Sequence, residues 1–204
     1  MDKRTNKKLT EEKILDIFKK TNALLNGHFL LSSGLHSDNY IQCAQVLQYP
    51  EYAQILCKVL AEKFKKDKIT LVAGPALGGV IVSYEVARQL KVKSIFTERD
   101  SSGKMNLRRN FTILNKDRVL VVEDVITTAG SVKEVIEVIR SSGAEVVGIG
   151  CLADRTSVQP ELELPIKSLV KLNFKTYSPN ECPMCKKGSI AIKPGSRNAS
   201  DMAG

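Results

Sequence analysis

The stretch Val119-Leu120-Val121-Val122-Glu123-Asp124-Val125-Ile126-Thr127-Thr128-Ala129-Gly130-Ser131 decides how this chain is read. Val119 to Val122 have the apolar character of a buried strand. Two adjacent carboxylates follow at its C-terminal end, then a turn of small residues, then a helical pattern from Ser131. In an α/β sheet, ligands bind beyond the carboxyl ends of the strands. Thr127 to Ser131 offer hydroxyls and free backbone N–H groups at a helix start, which suits a phosphate. Carboxylates cannot hold a phosphate, but they accept hydrogen bonds from sugar hydroxyls. One short segment is therefore equipped for both ends of a sugar phosphate. The plainer account is a strand-to-helix connection with a helix cap.

Working outward, strands alternate with helices from residue 70 onward. Thr70 to Ala73 read as a buried strand that runs into Gly74-Pro75-Ala76-Leu77-Gly78-Gly79 and a helix from Val80 to Leu90. Ser94 to Thr97 form another strand. The helix from Ser131 to Ser142 stops at Gly143. Glu145 to Ala153 and Ser168 to Leu172 complete the strand candidates. This alternation predicts a parallel sheet covered on both faces. Ahead of it, Thr10 is placed to cap a helix whose apolar residues Ile14, Leu15, Ile17, Phe18, Leu24 and Leu25 recur at helical spacing, with Gly27 as a stop. Phe29 to Ile41 read as a hairpin-like element, and Pro50 opens an amphipathic helix. About the first 45 residues and the tail do not fit the alternation and are expected to form a small hood. The 204 residues suit a single domain, with residues 70–172 as its core sheet.

Composition narrows the classes. The chain is 43% hydrophobic and 26% charged, as soluble globular proteins are. No apolar run approaches the roughly 20 residues of a membrane helix. The basic start, Met1 to Lys8, has no apolar segment behind it and is no secretory signal. A cytoplasmic protein is expected. The net charge of +9 fits either nucleic acid or a small polyanion. Aromatics are only 5%, with no Trp and no zinc-finger pattern, so the small polyanion is preferred. Five cysteines at irregular spacing argue against a disulfide framework. Cys43, Cys57 and Cys151 lie in apolar surroundings and read as core fillers. Cys182-Pro183-Met184-Cys185 has the spacing of half a zinc site, but the only histidines, His28 and His36, are near the N-terminus, so a tail turn is the simpler reading.

Three further segments are site candidates. The glycines of Gly74 to Gly79 allow backbone to approach a ligand closely. Glu98 to Asn110 are too polar for core, and Ser101-Ser102-Gly103 suggest flexibility. This loop carries Arg99, Lys104, Arg108 and Arg109, and a mobile cationic lid can neutralise a departing anion and exclude water. Arg155 follows a strand ending in Asp154, where it can clamp a carboxylate through two hydrogen bonds or pair with Asp154.

Glu123 to Ser131 resemble the phosphoribosyl pyrophosphate (PRPP) signature of the type I phosphoribosyltransferases. Phe29 to Ser37 resemble an N-terminal element of the orotate phosphoribosyltransferases, and Gly74-Pro75-Ala76, Thr97-Glu98-Arg99 and Ala153-Asp154-Arg155 fall where that family has its own elements. The tail from Cys182 through Arg197 is similar to one bacterial branch of that family. The resemblance implies the type I fold, a central parallel sheet flanked by helices with a hood. It implies transfer of phosphoribose from PRPP to orotate, in pyrimidine synthesis. Glu123 and Asp124 would hold the ribose hydroxyls, and Val125, Ile126, Thr127, Thr128, Ala129, Gly130 and Ser131 the 5-phosphate. Thr127 and Arg155 would contact orotate. Ala76, Leu77, Gly78 and Gly79 would face pyrophosphate, and Asp124, Lys104, Arg108 and Arg109 would be catalytic. Mg2+ would be held through PRPP, with no direct protein ligand. A homodimer with shared sites is implied, without nucleic acid or membrane.

The chain departs from the common family pattern in three places. Ser32 and Gly78 stand where lysines are frequent, and the loop has no His. Arg cannot replace a general acid, since it is never deprotonated in proteins. Two other readings are a phosphoribosyltransferase for another base and a PRPP-sensing regulator without catalysis. Arg155 speaks against the first, and the absence of a helix-turn-helix pattern against the second.

Overall fold

The computed structural model describes residues 9–156, 158 and 160–194. The basic start and Gly195-Ser196-Arg197 of the tail resemblance lie outside the described residues.

The chain opens with α1 (Glu11–Lys20), then β1 (Leu24–Leu30) and β2 (His36–Ile41), α2 (Ala44–Leu47) and α3 (Pro50–Glu62). There follow β3 (Leu71–Pro75), α4 (Gly78–Leu90), β4 (Lys93–Arg99), β5 (Met105–Leu107), β6 (Arg118–Ile126), α5 (Gly130–Ser141) and β7 (Glu145–Asp154). The chain continues through β8 (Ile166–Lys171), β9 (Thr176–Tyr177) and α6 (Pro183–Lys186).

The larger sheet has six strands in the order β5-β4-β3-β6-β7-β8. All its pairs are parallel except β4 with β5. This is the central, mostly parallel sheet that the alternation of strands and helices predicts. On β6, Leu120 and Val122 pack with Leu56, Leu60, Phe64, Val82 and Val86 of the α3–α4 side. Val119 and Val121 pack with Val132, Val135 and Ile139 of α5. Side chains alternate across a strand, so one continuous apolar run serves two cores only when both faces are covered. Cys43, Cys57 and Cys151 are buried in these cores.

A second sheet of three antiparallel strands has the order β1-β2-β9, so the N-terminal hairpin meets the C-terminal segment. Leu24 and Leu25 belong to this sheet, not to the first helix. The reason lies at the end of α1. Asn22 adopts a left-handed φ of 53°, and the N–H of Ala23 bonds the carbonyl of Phe18 at 2.8 Å. This is the six-to-one bond of a Schellman stop. It buries Ala23 and Phe18 completely and turns the chain before the helical period can continue. Thr10 is the N-cap residue as expected, but its side chain makes no capping hydrogen bond.

The polar segment Glu98 to Asn110 also differs from a slack loop. Its centre folds back as β5 on β4, pairing Thr97 with Leu107 and Arg99 with Met105. Met105 is buried in the α5-side core. Asp100 organises the turn by accepting bonds from the N–H groups of Ser102 and Lys104. The four hydrogen bonds accepted by the Asp100 carboxylate and one apolar anchor outweigh the local Ser-Ser-Gly signal.

Candidate active site

Parallel pairing brings the C-terminal ends of β3, β6 and β7 side by side, and each leads into a predicted site segment. After β6 the carboxylates of Glu123 and Asp124 stand together. Asp124 accepts the Val125 N–H at 2.8 Å, and Glu123 Oε1 accepts the Asp124 N–H at 3.1 Å. Burial pushes both carboxyls above the ordinary carboxylate range. The neighbouring negative charge pushes Glu123 up further. The pair thus holds a proton readily and is short of hydrogen-bond donors and positive charge.

The turn beyond them ends in Ala129, which takes a left-handed φ of 61° and is the N-cap residue of α5. Thr127, Thr128 and Gly130 are exposed. The first N–H groups of a helix have no partner within it, so those after Ala129 point outward. Glu123 and Val125 to Val132 line an open hollow. Every residue of the predicted phosphate cradle from Val125 to Ser131 is among them.

The turn after β3 is packed against the same carboxylates. A Cβ on Gly78 would land on the Asp124 carboxylate. One on Gly74 would come 2.5 Å from the Gly79 carbonyl oxygen, and one on Gly79 2.7 Å from Pro75 Cδ. These three positions are closed to any side chain, because backbone and carboxylate already fill the space. Ala76 and Leu77 face outward, and Leu77 is 86% exposed.

After β7, the Arg155 N–H bonds the carbonyl of Ile126 at 2.8 Å, which sets Arg155 beside the Thr127 turn. Its guanidinium lies 4.8 Å from the centroid of the Phe174 ring. Its Nε is buried with no hydrogen-bond partner among the described residues. Burial pulls its pKa below the usual Arg value, so the charge is under-compensated. Asp154 pairs with Lys171 and accepts the Thr156 N–H, so the simple Asp154–Arg155 pair is not formed. Buried donors in native proteins are nearly always bonded, and an orphan of this kind fits a site built for an anion.

The hairpin cations are placed differently. Arg109 and Arg108 both reach Glu98, and Arg99 pairs with Glu134 of α5. Lys104 is exposed at the turn. Two neighbours escaped the sequence reading. Phe174 supports Arg155, and its only signal was a lone aromatic between Asn173 and Lys175. Tyr40, on β2, lies close enough to Arg155 and Asp124 to feel both charges.

A family model described as the phosphoribosyl transferase domain matches residues 42–180. An orotate phosphoribosyltransferase of Caldanaerobacter subterraneus subsp. tengcongensis is 54% identical over 189 residues, covering 93% of this chain and 99% of its own. That of Desulforamulus reducens is also 54% identical, over 93% of this chain and 98% of its own. The crystal structure of the orotate phosphoribosyltransferase from Aeropyrum pernix superposes with a TM-score of 0.68 at 28% identity, over 78% of this chain and 93% of that one. A family model over well more than half of the chain, and relatives about half identical over nearly all of it, show that the chain belongs to the orotate phosphoribosyltransferases of the phosphoribosyl transferase family.

Proposed function

We infer that the chain transfers the 5-phosphoribosyl group of PRPP to orotate, giving orotidine 5′-monophosphate and pyrophosphate, a step of pyrimidine synthesis. The observation that carries the choice of base is the buried, unpartnered Nε of Arg155 beside the Thr127 turn. A planar guanidinium held over the Phe174 ring suits a carboxylate on a planar base. A base without that carboxylate leaves the charge uncompensated.

In this reading Val125 to Ser131 hold the 5-phosphate by backbone N–H groups and hydroxyls. Glu123 and Asp124 accept hydrogen bonds from the ribose 2- and 3-hydroxyls. Their negative charge lies under the sugar as its anomeric carbon gains positive character, so the site favours the transition state over the ground state. Ala76 to Gly79 face the leaving pyrophosphate, and Lys104, Arg108 and Arg109 neutralise it from the hairpin. Breaking the Glu98 pairs is what would free the two arginines. The donors at the strand end are hard oxygens on groups short of positive charge, which fits Mg2+ brought in with PRPP. When bound, that ion would supply charge neutralisation for the leaving group, while Glu123 and Asp124 hold the ribose hydroxyls.

The whole chain acts as one domain, with the β1-β2-β9 sheet and tail as a hood over the cleft. A homodimer is supported by Leu77, Ile81 and Tyr84, which are exposed along one side of the start of α4. A cytoplasmic setting is supported by five unpaired cysteines. No helix among the described residues is long and apolar enough to cross a membrane.

The test is the loss of orotate absorbance on mixing protein, orotate, PRPP and Mg2+, repeated with Arg155→Ala. A fast PRPP-dependent decrease is expected. The variant should raise the orotate KM about 10- to 100-fold, the worth of a hydrogen bond to a charged group, with PRPP little affected. No decrease by a protein that still binds PRPP would overturn the reading in favour of another base or a regulator.

A further inference from the structure

The hood brings together four side chains that the sequence keeps far apart. His28 lies on β1, His36 opens β2, Cys182 immediately precedes α6 and Cys185 lies within it. His28 Nε2, His36 Nδ1 and the two Sγ atoms all lie within 4.8 Å of one another. His28, His36 and Cys182 are buried and Cys185 half-buried. The tail-turn reading of Cys182 to Cys185 therefore missed half of a cluster, because the missing partners stand some 150 residues earlier and fold onto it.

We propose that His28, His36, Cys182 and Cys185 form a structural Zn2+ site that clips the C-terminal tail to the N-terminal hairpin. Four features of the cluster carry this. Tetrahedral zinc with Zn–N of about 2.0–2.1 Å and Zn–S of about 2.3 Å requires N···S separations of about 3.6 Å. Cys182 Sγ is 3.4 Å from His28 Nε2, and Cys185 Sγ is 3.7 Å from His28 Nε2 and 3.3 Å from His36 Nδ1. The two ring nitrogens, 2.8 Å apart, need to open by only about 0.5 Å. Second, the outer nitrogen of His28, Nδ1, is 3.1 Å from Ser189 Oγ, an outer partner of the kind that fixes the tautomer and aims the other nitrogen at a metal. Third, two sulfurs and two imidazoles with no oxygen donor suit zinc and exclude Mg2+ or Ca2+. Binding releases the two thiol protons, and two thiolates cancel the ion's charge, so the buried centre is neutral.

The fourth feature is what the tail lacks. Between Asn173 and Pro194, Cys182 is the only buried residue among those described, and Ile190 and Ile192 are 86% and 62% exposed. Yet this segment is paired to the hairpin. It supplies β9 to β2, and Ile192 exchanges two 2.8 Å backbone bonds with His28 and Leu30 of β1. A segment with no apolar core of its own needs a staple, and structural zinc is one of the few available. The clip sits at the start of β2, the strand that carries Tyr40 to the cleft, so it holds the hood's edge of the site.

The experiment is metal analysis of the full chain purified without chelator, then Co2+ titration of the stripped protein. One zinc per chain is expected, with the intense visible bands of a tetrahedral cobalt–thiolate centre saturating at one equivalent. Cys182→Ser and His36→Ala should lose both, and stripped protein should melt at a lower temperature and recover on adding Zn2+. Should the variants fail to fold, the zinc content and cobalt spectrum of the unaltered chain decide alone. A metal-free chain giving only the weak spectrum of octahedral Co2+, or a chain carrying a Cys182–Cys185 disulfide, would overturn the proposal.

Discussion

The turns after β3 and β6 leave the ends of adjacent parallel strands and both run into helices, yet they are built on opposite terms. The β3 turn is closed. Gly74, Gly78 and Gly79 leave no room for a Cβ, and Asp124 fills the space beside Gly78. The β6 turn is open. Thr127, Thr128 and Gly130 are exposed around a hollow, and its donors face outward. One turn fixes the carboxylates by exclusion, and the other leaves groups unsatisfied for a ligand to satisfy. Substitutions should divide accordingly. Filling the closed turn should harm both fold and rate, emptying the open one should harm only binding, and removing the carboxylates should harm rate while helping the fold.

The carboxylates give the largest expected effect. Asp124→Asn should cut kcat by about 10²–10³, the scale for losing an electrostatic group aimed at developing charge. The ligand-free fold should gain. The folded-state pKa values of Glu123 and Asp124 lie above their unfolded values near 4. Their contribution is therefore fully present below that pH and is lost as pH rises through the folded values. Glu123→Gln, which cannot ionise, should raise the melting temperature at pH 8 and leave it unchanged at pH 4. Melting scans of both proteins across that range check the sign. Equal melting at both pH values would mean that the pair carries no such strain.

Gly78→Ala comes next. Its Cβ must displace the Asp124 carboxylate, and overpacking of this kind destabilises by about 1–3 kcal/mol. A catalytic group displaced by about 1 Å lowers turnover by about 10²-fold. Both losses should appear together in melting and in kcat. Near-normal turnover would show that the closed turn does not position Asp124. The same geometry gives the missing lysine at this position a physical setting. A long side chain at residue 78 requires another position for Asp124, so the glycine and this carboxylate placement go together.

The cleft was legible in the sequence because its parts are local. Val119 to Ser131 carry strand, carboxylates and cradle in consecutive residues, and the strand-end rule puts Gly74 to Gly79 and Arg155 on the same edge. What stayed hidden depends on contacts between distant segments. Nothing in residues 74–79 says that a carboxylate from β6 occupies the space of a side chain at Gly78. Phe174 has meaning only under Arg155. The end of α1 was misplaced because Asn22, a weak stop signal, is reinforced by Ala23 packing on Phe18, while Leu24 and Leu25 continue the helical period by coincidence. The cationic segment was read as slack because Met105, its one buried anchor, looks minor among thirteen mostly polar residues from Glu98 to Asn110. The His28–Cys185 cluster is the extreme case, since each half is below the ligand count that would identify it.

Thr128→Val should give the smallest effect and the sharpest contrast. The side chain is exposed, and its Oγ1 lies 3.7 Å from where a Cβ on Gly130 would stand, over the start of α5. Valine keeps the shape and removes only the hydroxyl. Because no described residue hydrogen-bonds that hydroxyl, the melting temperature should not move. A neutral hydrogen bond contributes about 0.5–1.5 kcal/mol, so the PRPP KM should rise about 2- to 10-fold. The orotate KM should hold steady, since the substitution leaves Arg155 and its seat on Phe174 unchanged. A fall in melting temperature comparable to that of Gly78→Ala would mean that the β6 turn, too, is held by packing. The division between a turn that excludes and a turn that receives would then fail at its simplest point.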